Sequence, residues 1–184
     1  CSYCDTLYSY GPESTFESMS VQSVADVIEQ LENHRITITG GEPLLQEPAI
    51  IELIDELTRR NARYDFNIET NGTIIPSFHR DNVWFTYDYK TPSSLAEDAM
   101  NLDIFKVATP ADIIKFVVGS MQDLDRMDEI LKTYPTDAQI FVSPVWGNIE
   151  GATIIEYMKA HNWQNVRFQL QIHKFIWDPD AKGV

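Results

Sequence analysis

Cys1-Ser2-Tyr3-Cys4 holds the only two cysteines of a 184-residue chain, and its spacing brings two soft sulfur donors to one centre. Thiolates so placed suit zinc, an iron-sulfur cluster or thiol-disulfide exchange. Two ligands do not close a structural zinc site, which takes four, and His34, His79, His161 and His173 are scattered rather than set at zinc-ligand spacing. Standing alone, the pair reads as a surface C-x-x-C without a role or as a thioredoxin-like dithiol. A second string that could do chemistry is Gly40-Gly41-Glu42-Pro43, where two glycines let the backbone approach a ligand and Glu42 offers an acceptor for an amine. The same four residues also serve as a plain strand-to-helix turn, and by themselves they do not decide between the two.

The elements that must position these strings follow from periodicity. Val21, Val24, Val27/Ile28 and Leu31 have helical spacing behind Ser20 as N-cap. Ile36 to Thr39 reads as a strand that stops at Gly40-Gly41, and Pro48 suits the first turn of a helix carrying Ile50, Ile51, Leu53, Ile54 and Leu57. Further strands are expected at Phe66 to Glu69, Val83 to Asp88, Ile113 to Val118, Gln139 to Val142 and about Val166 to Leu170, with a minor one at Ile104 to Val107. A short helix should follow Pro92-Ser93-Ser94; others carry Leu124, Met127, Ile130 and Leu131 behind Ser120, and span Ala152 to Ala160. Along the last strand Phe168, Leu170 and Ile172 alternate with Gln169, Gln171 and His173, which places His173 on the polar face or at the turn into the tail.

Strands alternating with helices imply parallel βα units, roughly six of them. A closed eight-stranded barrel takes about 250 residues, so the expected fold is α/β, an open partial (βα)6 TIM-like barrel in one domain over residues 1–184. Nearly every strand runs at once into a polar string, and in parallel α/β folds the carboxyl ends of the strands hold the site. The strings are Thr39-Gly40-Gly41-Glu42-Pro43, Glu69-Thr70-Asn71-Gly72-Thr73, Asp88-Tyr89-Lys90, Gly119-Ser120, Ser143-Pro144 and Gln171-Ile172-His173-Lys174.

Composition narrows the ligand class. A net charge of −14 repels phosphate, which argues against nucleic acid and anionic membranes and for a small substrate. No apolar run has the length of a membrane span. Two close cysteines are not a secreted disulfide scaffold, and a reducing cytoplasm is the expected home.

With both strings in view, the chain resembles the radical S-adenosylmethionine enzymes. Their signature is C-x3-C-x2-C, and Cys1-Ser2-Tyr3-Cys4 looks like its second half; Gly40-Gly41-Glu42-Pro43 looks like their motif after the second strand. Cys4-Asp5-Thr6, Thr39 to Gln46, Glu69 to Thr73, Lys90-Thr91-Pro92-Ser93-Ser94 and the ending from His173 are similar, within that superfamily, to the 7-carboxy-7-deazaguanine synthase family of queuosine biosynthesis. The resemblance implies a lyase that contracts 6-carboxy-5,6,7,8-tetrahydropterin to 7-carboxy-7-deazaguanine with loss of ammonia.

The resemblance also implies cofactors and roles. Cys1 and Cys4 would be two ligands of a [4Fe-4S] cluster, Thr6 a ligand of Mg2+, and Tyr3 and Asp5 neighbours of S-adenosylmethionine. Gly40, Gly41 and Glu42 would hold the methionine end of that cofactor. Asp88, Tyr89 and Lys90 would reach its ribose and carboxylate side, Lys90 being equally a rim lysine. Ser143, Pro144, Val145 and Trp146 would lie against the adenine, although Trp146 equally suits a core. Thr39, His173 and the carboxylate of Val184 would touch the pterin. A flavodoxin- or ferredoxin-type reductant and a homodimer are implied as well.

The family's first cluster cysteine and first strand would precede Cys1, so the reading expects an amino-terminally truncated chain that, as printed, neither holds a full cluster nor turns over. Two other readings share these features. One is an activase that makes a glycyl radical on a partner protein, which would need a docking surface and usually further cysteines. The other is a non-catalytic barrel that binds a nucleoside or pterin.

Overall fold

The computed structural model describes all residues except Asp5, Leu7, Ser9, Tyr10, Glu13, Gly183 and Val184. The expectations for Asp5 and Val184 therefore lie outside the described residues. Six parallel strands form one open sheet in the order β1-β2-β3-β4-β5-β6, with helical segments between consecutive strands except β2 and β3, which a turn-rich stretch over 71–82 connects. The chain gathers into two compact units, a smaller one of Leu7–Thr70 and Pro76–Thr86 and a larger one of Cys1–Thr6, Asn71–Ile75 and Tyr87–Val184.

In the smaller unit α1 (Val21–Gln30) starts at Ser20, whose hydroxyl accepts the Ser23 amide as the sequence led one to expect. Strand β1 (Arg35–Ile38) pairs in parallel with β2 (Asp65–Thr70), Ile38 opposite Ile68. Helix α2 (Glu47–Arg60) has Pro48 in its first turn and buries Ile50, Ile54 and Leu57, spaced one turn apart along a single face. Each such side chain contributes roughly 1.5–3 kcal/mol on leaving water. Arg60 fastens α2 to α1 through Asp26 at 2.7 Å and Glu29 at 3.1 Å. In β2 the alternation buries Phe66, Ile68 and Thr70 and leaves Asp65, Asn67 and Glu69 more open.

Strand β3 (Val83–Lys90) passes from the smaller unit into the larger at Tyr87. There β4 (Ile113–Val118) pairs in parallel with β5 (Gln139–Pro144), and β5 with β6 (Val166–Phe168). Helix α4 (Met121–Thr133), capped by Ser120, buries Leu124, Met127 and Ile130, and α5 (Gly151–Ala160) buries Ile154 and Tyr157.

Two sequence expectations fail here. Ile104 to Val107 is not a strand but a one-turn helix, α3 (Ile104–Val107). The Asn101 side chain turns the backbone by accepting the Asp103 amide, and Lys106 pairs with Asp103 one turn away at 2.7 Å, so local polar contacts override the β-branched run. The alternation drawn to Ile172 stops early as well. Strand β6 ends at Phe168, one further bond from the Gln169 amide to the Val142 carbonyl lies just past it, and His173 opens the short helix α6 (His173–Ile176).

Candidate cofactor site

In the larger unit the C-x-x-C loop is docked by the two residues between its cysteines. The Ser2 amide donates to the Ser94 carbonyl at 2.9 Å and the Ser2 hydroxyl to the Ser93 carbonyl at 2.6 Å. The Tyr3 hydroxyl donates to the Val117 carbonyl at 3.2 Å. Burial pushes the Tyr3 phenol up to about 12, against a lowering effect of the neighbouring Thr91 hydroxyl and with added repulsion from Asp88 and Asp123, so the group remains a donor at neutral pH. Docked in this way, exposed Cys1 and half-buried Cys4 present soft thiol donors, and Cys4 Sγ lies 3.4 Å from the Thr6 hydroxyl. A soft sulfur and a hard oxygen thus stand side by side, the donor types that an iron-sulfur cluster and a magnesium ion take. Among the described residues no group of three or more His, Cys, Asp and Glu side chains gathers around a metal position.

The loop that receives Ser2 is itself held. Thr91, at the end of β3, donates its hydroxyl to the Val117 carbonyl at 2.8 Å, and Asp123 near the start of α4 accepts the Ser93 amide at 2.9 Å and the Gly119 amide at 2.7 Å. Strand parity separates the next three candidates. Asp88 and Lys90 share a face and pair at 2.6 Å, while the Asp88 Oδ1 atom is buried with no hydrogen-bond partner among the described residues. Tyr89 points the other way into the core, 1% exposed, stacked on Phe116 and bonded through its hydroxyl to Glu97 at 2.9 Å. Its burial, with the Glu97 carboxylate beside it, raises the phenol far above the ordinary tyrosine range. The Tyr89 side chain is therefore committed to the core.

Ser143, Pro144 and Val145 are buried at the carboxyl end of β5, and the Val145 amide donates to the Val118 carbonyl at 2.8 Å. Trp146 is exposed rather than core, with its ring edge-on to Phe175 at 5.1 Å. His173 is half-buried at the first turn of α6.

In the smaller unit, exposed Thr39 leads into Gly40, whose φ of +150° is open to glycine and costly for other residues. Glu42 is half-buried and caps a 3-10 turn at Pro43–Gln46 by accepting the Leu44 amide on Oε1 at 3.0 Å. The same oxygen accepts the Thr70 hydroxyl at 2.8 Å. The turn reading and the ligand reading of this string are thus compatible, because the carboxylate that caps the turn is also held in one orientation.

A profile of the radical SAM superfamily matches residues 1–117. A 7-carboxy-7-deazaguanine synthase of Clostridium acetobutylicum is 36% identical over all of this chain and 85% of its own length. One from Leptospira interrogans is 37% identical over 99% of this chain and 81% of its own, and one from Methanospirillum hungatei 36% identical over 97% and 73%. The chain belongs to the 7-carboxy-7-deazaguanine synthase family. Glycyl-radical activation and a non-catalytic barrel are the readings this family membership does not favour.

For a member of the synthase family the sequence left three supporting residues unread: Thr70, Thr91 and Asp123. Asp123 had a signal, since Ser120-x-x-Asp123 is the spacing of a capping box at the start of α4. Thr70 and Thr91 sat inside quoted motifs, but their partners, Glu42 and Val117, are 28 and 26 positions away and follow only from strand register.

Proposed function

We propose that the protein containing this chain acts as a radical S-adenosylmethionine lyase of queuosine biosynthesis, converting 6-carboxy-5,6,7,8-tetrahydropterin to 7-carboxy-7-deazaguanine and ammonia. The observation that carries the reading is 36% identity to a 7-carboxy-7-deazaguanine synthase along the entire chain. When bound, a [4Fe-4S] cluster and S-adenosylmethionine supply reversible removal of a hydrogen atom at C6 of the pterin. The chain's own part is to bind, orient and exclude water.

Cys1 and Cys4 serve as thiolate ligands of the cluster and the Thr6 hydroxyl as a ligand of Mg2+, which the 3.4 Å approach of Cys4 Sγ and Thr6 Oγ1 supports. Tyr3 holds that loop in place. Glu42 accepts the methionine ammonium while Gly40 and Gly41 keep the backbone close. Asp88, supported by Lys90, offers its buried Oδ1 to a donor on the cofactor. Ser143 to Trp146 line the adenine side, and Thr39, His173 and Val184 meet the pterin. A flavodoxin- or ferredoxin-type protein provides the electron, the working unit is a homodimer, and the compartment is the cytoplasm.

The test is anaerobic incubation of the reconstituted holoenzyme with S-adenosylmethionine, Mg2+, a reductant and the pterin. Formation of 7-carboxy-7-deazaguanine by mass spectrometry is expected, with deuterium placed at C6 passing into S-adenosylmethionine. A holoenzyme with an intact cluster signal and no product defeats the proposal.

A further inference from the structure

We infer that Thr70 is a positioning residue that sets the orientation of the Glu42 carboxylate for the S-adenosylmethionine ammonium. This rests on the proposed reading of Glu42. A glutamate has three side-chain torsions, and Glu42 follows Gly40 and Gly41, so neither its own chain nor the preceding backbone fixes the carboxylate. One donor is local: the Leu44 amide, two residues on, reaches Oε1 at 3.0 Å and could turn with the 3-10 segment that it belongs to.

The second donor is different in kind. Thr70 comes from the end of β2, is 2% exposed, and brings its hydroxyl to the same oxygen at 2.8 Å from 28 positions away. Its β-branched side chain is stiff at χ1, and the parallel register that sets Ile38 opposite Ile68 brings the end of β2 beside the turn after β1. A hydroxyl has one proton, and Thr70 gives it to a charged acceptor, which makes the bond stronger than a neutral one. Two donors converging on Oε1 restrict the orientation of the carboxylate, since an sp2 oxygen accepts near its own plane. A sheet-anchored hydroxyl thus transmits the register of β1 and β2 to the group that meets the ligand.

The experiment is a double-mutant cycle on the anaerobically reconstituted holoenzyme, reading S-adenosylmethionine affinity by calorimetry alongside thermal unfolding. Thr70→Val keeps the shape and removes the proton; it should weaken binding about tenfold, as loss of a supporting hydrogen bond commonly does. Thr70→Ser should bind within about twofold of the parent. In a Glu42→Ala background Thr70→Val should cost nothing further. Thr70→Ala takes the place of Thr70→Val if the latter does not fold. Parent-like affinity in Thr70→Val, equal losses in both backgrounds, or failure of Thr70→Ser to rescue would overturn the inference. If instead the parent does not bind, or Glu42→Ala binds like the parent, the reading of the site fails and the inference falls with it.

Discussion

The Tyr3 hydroxyl donates to the Val117 carbonyl at 3.2 Å across 114 positions of sequence, and the Thr91 hydroxyl donates to that same carbonyl at 2.8 Å. One acceptor thereby ties the cysteine loop and the end of β3 to the end of β4. Tyr3→Phe leaves the carbonyl satisfied by Thr91, so the expected loss of global stability is at most about 1 kcal/mol. The effect should be local. Amide exchange at Cys4, measured by NMR, should quicken while the unfolding temperature hardly moves. The phenol is protonated and donating below the unfolded tyrosine value near ~10, and its contribution is lost as pH rises toward about 12. A large fall in unfolding temperature at neutral pH would mean that Tyr3 does more than dock the loop.

Asp123 is fully buried and accepts two main-chain amides, Ser93 and Gly119, one on each oxygen. Asn has a single carbonyl oxygen, so Asp123→Asn turns one of these contacts into donor against donor. A buried amide left without an acceptor costs about 1–3 kcal/mol, more where the lost partner carried charge. Chemical denaturation should show a loss of about 2–3 kcal/mol with an unchanged m-value. Because the Ser93 carbonyl receives Ser2, the same variant should speed amide exchange at Ser2 and Cys4. A variant as stable as the parent would show that the two loops hold without the carboxylate.

The sheet was legible because short runs rich in β-branched and aromatic residues each end in a polar or glycine-containing string, and such runs recur from Ile36 to Val142. Ile104 to Val107 carried the same composition, yet four residues are too few for periodicity to tell a turn of helix from a strand. Tyr89 shows the reverse case. Parity along β3 already set it opposite Asp88 and Lys90, but a motif reading groups neighbours in sequence and overrides parity. The two cysteines and Glu42 could be named from their types and spacing. What holds them, Ser93 and Ser94 for the loop and Thr70 for the carboxylate, depends on which strand ends lie side by side, and local sequence does not encode that.

Asp128 supplies a pH dependence. Burial alone would raise its carboxyl, but hydrogen bonds from Lys132 and the Trp163 indole outweigh that and hold it below the usual aspartate value. With the folded value below the unfolded one, its contribution is complete above the ordinary aspartate range near ~4 and is lost as pH falls through the folded value. The stability gap between the parent and Asp128→Asn should therefore shrink as pH falls below the ordinary aspartate range near ~4. Denaturation series at several pH values measure it. A gap that widens below about pH 4 contradicts the direction of the shift.

Gly72 ends the Thr70-Asn71-Gly72 string with φ +74°, and its carbonyl accepts the Asn101 amide at 3.1 Å. A Cβ placed there would come within 2.7 Å of the Met100 methyl carbon, the far end of a flexible side chain that can swing aside. The backbone cannot avoid its own strain, since a left-handed conformation costs an L-residue roughly 1–2 kcal/mol. Gly72→Ala should lose about that much stability, and Met100→Ala should not restore it, because the larger cost is in φ rather than in the contact. Denaturation of both single variants and the pair decides the matter. If Gly72→Ala is nearly free in the Met100→Ala background, crowding by the thioether is the dominant effect and the conformational argument for this glycine is wrong.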